Sequence, residues 1–150
     1  MQPQLRFLAG PADLYRVVAW LCEAREAPLE EAAPVLRAIV DQPLETLELA
    51  ERLGLVVQSG LALMPTPLGC AWAARPEVRP PTFEGLLGEL PLETVRARLR
   101  RAGGRLSLVA LADLVTGPHA EQTAQALADW GEWLGYWQQE AGWLWLREAA

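Results

Sequence analysis

Leu134-Gly135-Tyr136-Trp137-Gln138, then Gln139-Glu140-Ala141-Gly142, then Trp143-Leu144-Trp145-Leu146 reads as strand, turn and strand. Tryptophan and leucine alternate along the second strand, so Trp143 and Trp145 share one face and Leu144 and Leu146 the other. An earlier stretch has the same form: Leu55-Val56-Val57-Gln58, a Ser59-Gly60 turn, then Leu61-Ala62-Leu63-Met64.

Helical patterns precede each hairpin. In the first half Pro11 opens a helix with Leu14, Val17, Val18 and Leu21 on its inner face. Ala27 to Val40 reads as a second helical region that Pro34 either starts or kinks. Pro43 begins a third, which stops at Gly54. Pro76, Pro80 and Pro81 then form a stiff joint and set the expected boundary, giving halves 1–78 and 79–150. In the second half Leu92, Val95 and Leu99 mark one helix, which ends at Gly103-Gly104. Leu106 to Val115 reads as another, and a third carries Thr123, Leu127, Trp130 and Leu134. Three helices and a two-stranded wing are the winged-helix plan, a relative of the helix-turn-helix. The expected fold class is mainly α with small β-hairpins, as tandem winged-helix-like halves. Residues 1–10 read as a loose lead-in.

Composition narrows the function. The chain has 150 residues, 51% hydrophobic and 21% charged, as a folded protein does. No stretch approaches the roughly 20 apolar residues that span a bilayer, so no membrane insertion is expected. The start lacks a basic-then-apolar secretion signal, and a cytoplasmic location is the expectation. All 13 basic residues are arginine, which removes Schiff-base and phosphate-loop lysines. His119, Cys22 and Cys70 cannot build an ordinary zinc site without several carboxylates. Asp129 and His119 lie ten residues apart, too far to meet within one helical turn. Asp113 is nearer to His119 but has no evident nucleophile beside it. Ser107 and Thr116 read as helix-end groups. The expectation is no enzyme, no cofactor and no metal.

The stretch Ala120 to Leu146, with Ala128-Asp129-Trp130-Gly131 leading into an aromatic hairpin, resembles the AAA-associated C-terminal domain family. Leu53-Gly54-Leu55, Thr66-Pro67-Leu68-Gly69 and Leu90-Pro91-Leu92 fit the same likeness, which runs from about Asp13 to Leu146. That domain follows the ATPase of nitrate/sulfonate-type ABC transporters and also occurs alone. The resemblance implies a regulatory or docking module without chemistry of its own, with an ABC-type ATPase as partner class. The chain departs from the family at Glu132, where arginine is usual, and it lacks the family's basic-aromatic stretch between halves.

Charge decides between protein and nucleic acid. The net charge is −6, whereas nucleic-acid binding draws on cations that displace counterions from phosphate. The third helix of the first half carries Glu45, Glu48 and Glu51 against Arg52; that of the second carries Glu121, Asp129 and Glu132 with no arginine. Nucleic acid is therefore the less favoured partner. The basic cluster is Arg96, Arg98, Arg100, Arg101 and Arg105. It reads either as a solvated face helped by the helix dipole or as a dock for an acidic partner or a phosphate backbone. Trp130, Trp20 and Trp72 read as packing residues. Trp137, Trp143 and Trp145 are candidates for a partner or homodimer surface, because both faces of a two-stranded wing cannot easily be buried. The favoured function is a non-catalytic adaptor or regulatory module acting by protein–protein contact. The alternative is a DNA-binding regulator that uses the arginine run.

Overall fold

In a computed structural model the chain is described over residues 9–115 and 117–147. The reading of Thr116 and most of the expected lead-in fall outside that range. The chain divides into two compact units, Ala12–Leu87 and Met1–Pro11 with Gly88–Ala150.

The first unit runs α1 (Pro11–Ala24), β1 (Ala27–Pro28), α2 (Leu29–Ile39), α3 (Pro43–Arg52), β2 (Val56–Ser59), β3 (Ala62–Pro65) and α4 (Pro67–Ala74). Helix α5 (Phe83–Glu89) contains the division between the units. The second unit continues with α6 (Leu92–Arg101), β4 (Arg105–Ser107), α7 (Leu108–Leu114), α8 (Ala120–Trp133), β5 (Trp137–Glu140) and β6 (Trp143–Leu146). The architecture is mainly α, with two small antiparallel sheets ordered β1-β3-β2 and β4-β6-β5. Helix–strand–helix–helix–strand–strand in that order is the winged-helix arrangement.

Local chemistry accounts for the elements. Leu14, Val17, Val18 and Leu21 of α1 are all buried at helical spacing. Pro43 begins α3 with its fixed φ, and Gly54 ends it at φ +74. Helix α2 continues through Pro34, losing one internal N–H. Thr66 caps α4 by accepting from the Gly69 N–H (3.0 Å), and Ser107 caps α7 by accepting from the Ala110 N–H (3.1 Å).

Three readings of the sequence need correction. Ala27-Pro28 and Arg105-Leu106-Ser107, expected within or beside helices, are strands that pair with β3 and β6. Each wing therefore belongs to a three-stranded sheet, with the hairpin's second strand at its centre. The first hairpin is also displaced by one residue: Ser59 pairs with Ala62, and Gly60-Leu61 form the turn. Gly60 has φ +63, which suits the first central position of a tight hairpin turn. The second hairpin is corrected too: Gln139 and Glu140, expected in the turn, belong to β5, and only Ala141 (φ 51) and Gly142 (φ 81) turn, both left-handed.

The two units correspond residue by residue around their hairpins. Gly54 N–H donates to Glu51 O and Gly135 N–H to Glu132 O; Leu55 N–H donates to Ala50 O and Tyr136 N–H to Gly131 O. Thr66 N–H donates to Leu55 O, and Arg147 N–H to Tyr136 O. The buried centres Leu63 and Leu144 face Gln58 and Gln139 across their ladders. All of these pairs share one offset, that from Gly54 to Gly135. A constant offset through helix end and both strands means that the hairpins share their register although few side chains are the same, while the turns differ, with one left-handed residue in the first and two in the second.

Candidate functional site

The outer face of the second sheet is built by its register. Trp145 stands opposite Arg105 on one side and Gln138 on the other; Trp143 stands opposite Ser107 and Glu140. Directly paired residues point to the same face, so these six side chains share one surface. Trp143 is 39% exposed and Trp145 42%, whereas Leu144 on the inner face is 0% exposed. The third strand resolves the two-faced wing: leucine closes the core and tryptophan stays outside. The Arg105 guanidinium lies 5.3 Å from the Trp143 ring centre, within reach of a cation–π contact.

Trp137 is elsewhere. It is 0% exposed, and its indole N–H donates to the Ala128 carbonyl at 2.8 Å. Its ring fills the space that a side chain at Gly131 would occupy. It packs the joint between α8 and β5, so the outer face has two tryptophans rather than three.

The arginine run separates by position. Arg96 donates to Glu93 Oε1 at 2.9 Å, and its guanidinium lies 4.4 Å from the Tyr136 ring centre. Its Nε is buried with no acceptor among the described residues. Arg98, Arg100 and Arg101 are exposed on α6, and Arg105 belongs to the sheet face. The five cations thus do not form one patch of equivalent groups.

The motif residues hold the fold together. Trp130 donates its indole N–H to the Ala9 carbonyl (3.0 Å). Asp129 accepts from Gln125 Nε2 (2.9 Å) and from Gln139 Nε2 (2.7 Å), which ties α8 to β5. Gly69 of the Thr66-Pro67-Leu68-Gly69 stretch lies against the Leu55 backbone, where a Cβ would overlap the carbonyl. Thr66 Oγ1 donates to Gly54 O at 2.6 Å. These groups fix the joints of the two hairpins, a structural need that does not by itself carry a partner.

The exposed positions of α3 include Glu48, Glu51 and Arg52, and those of α8 include Glu121, Gln122, Gln125 and Glu132. Both third helices therefore expose carboxylates. A groove of about 540 Å³ also opens on the second unit, with Arg98 and Arg101 on α6 beside Leu111 and Leu114 of α7. In the first unit Cys22 and Cys70 are half-buried free thiols. Burial, and then the neighbouring Cys70, push the Cys22 thiol from 9.0 up to about 12. A protonated thiol is a poor nucleophile and a poor metal ligand.

Among the described residues no group of three or more His, Cys, Asp or Glu side chains could hold a metal ion. None of the described helices is long and apolar enough to cross a membrane. Comparison with protein-family models, curated proteins and solved structures returns no match.

Proposed function

We propose that this chain is a non-catalytic adaptor or regulatory module that binds protein, with the outer face of the second sheet as its contact surface. One observation carries the reading: two exposed tryptophans lie on one face of the central strand, with Arg105 over the Trp143 ring. Tryptophan and arginine are the residues that dominate binding energy at protein interfaces. Their exposure leaves apolar area that a partner can remove from water. The acidic exposed positions of α3 and α8 support a polypeptide over a phosphate chain.

The resemblance to the AAA-associated C-terminal domain family supplies the partner class, an ABC-type ATPase in the cytoplasm. A second copy of the chain is the competing occupant of the tryptophan face.

The test is a titration against a purified ABC-type ATPase, with light scattering of the protein alone. The expected result is binding that changes little between about 50 and 200 mM salt and is lost in Trp143→Ser/Trp145→Ser. DNA binding that falls by orders of magnitude over that salt range would instead support a regulator of transcription. Wild-type dimers that the double variant converts to monomers would make the tryptophan face a self-association surface.

A further inference from the structure

The groove on the second unit differs in chemistry from the tryptophan face. Val95, Leu111 and Leu127 form a buried floor, and Leu114 and Val115 line the same opening. Arg98 and Arg101 stand on its α6 side, exposed and in no ion pair among the described residues. Glu93 also borders the groove, but its carboxylate accepts from Arg96 at 2.9 Å. Among the described residues lining the groove, the charges without a salt-bridge partner are therefore both positive, in a chain whose net charge is −6.

The helix dipole explains why cations are tolerated at the end of α6. It does not explain an apolar opening beside them. The α6 wall from Glu93 to Arg101 is about 12 Å long at the helical rise of about 1.5 Å per residue. That length matches two turns of a helix, with apolar anchors at i, i+3 or i+4 and carboxylates near the arginine end. Among the described residues no strand edge borders the groove, which leaves no ladder there for strand addition.

We propose that this groove receives an acidic amphipathic helix of a protein partner, its apolar side chains on Ala97, Leu114 and Val115 and its carboxylates on Arg98 and Arg101. The proposal rests on the protein-binding reading above but uses a separate surface. Guanidinium forks suit bidentate contact with carboxylate, and the partly exposed apolar rim at Ala97, Leu114 and Val115 rewards a ligand that brings both features.

The probe is a fluorescein-labelled helical peptide of about 15 residues, with leucine at i, i+3, i+4 and i+7 and glutamate between. Its twin carries lysine in place of glutamate. The glutamate peptide is expected to bind the full chain at least about tenfold tighter than the twin, a difference of about 1.4 kcal/mol. Arg98→Glu/Arg101→Glu is expected to reverse that preference, and Leu114→Glu to weaken the glutamate peptide about tenfold or more. Unchanged urea midpoints establish that the variants are folded; these three positions are not buried, so folding should survive. Equal affinity for the two peptides, absence of reversal, or no binding at about millimolar peptide overturns the proposal. Loss of peptide binding in Trp143→Ser/Trp145→Ser also overturns it, by assigning the peptide to the sheet face. That outcome leaves the protein-binding reading standing. Groove binding that persists while the tryptophan variant still binds the ATPase would instead sink the sheet-face reading alone.

Discussion

The Trp137 indole occupies the space that a side chain at residue 131 would need, and only glycine leaves that space free. At the same offset in the first unit stand Ala50 and Val56, both buried. A larger strand residue accompanies a smaller helix residue. Neither identity is kept across the repeat, but the helix residue is small at both joints.

Gly131→Ala should therefore destabilise the second unit by about 1–3 kcal/mol or more, because the ring is held by its bond to Ala128 and cannot move aside cheaply. Gly69→Ala should cost at least as much, since the obstruction there is the Leu55 backbone. Urea unfolding followed by tryptophan fluorescence measures both.

The two faces of β6 should respond in opposite ways. Leu144→Ala empties a fully buried site and should cost about 2–5 kcal/mol. Trp145→Ser removes a side chain from the exposed face and should cost about 1 kcal/mol or less. Similar losses at the two positions would show that the tryptophan face is packed in the free protein.

Asp129→Ala should cost about 1 kcal/mol, through loss of the bonds from Gln125 and Gln139. Asp129→Asn keeps one acceptor and should cost less. Hydrogen exchange should show the change first in β5, which Gln139 ties to α8.

Cys22 should alkylate slowly at pH 8, because a thiol raised to about 12 is almost wholly protonated there. Its raised folded value makes a stabilising contribution present below about pH 9. That contribution is lost as pH rises toward and through about 12, since the unfolded chain releases the proton first. Alkylation as fast as that of a free thiol would contradict this environment.

Much of the fold can be read from residue pattern. The buried face of α1, the proline start of α3 and the existence of both hairpins, though not the bounds of their turns, follow from spacing and turn chemistry. Strands β1 and β4 do not, because two or three residues carry no period, and Ala27-Pro28 and Arg105–Ser107 become strands only through pairing with Leu63 and Leu144. The one-residue displacement of the first hairpin has a similar cause: Ser59 and Gly60 are both turn formers, and the ladder to Ala62 chooses between them. Trp143 and Trp145 were legible from strand alternation. The burial of Trp137 was not, because it depends on an absent side chain at Gly131, six residues earlier on another element. Nor could the run of arginines reveal that Tyr136 lies under Arg96 and Trp143 under Arg105.

Strand β6 lies between β4 and β5, so its peptide groups are already shared with neighbours on both flanks. Nothing that lands on Trp143 and Trp145 can zip onto that strand as an extra β-ribbon. Whatever docks there must be chosen by its contours and by what it lays over the indoles, and its own main-chain conformation is left unconstrained.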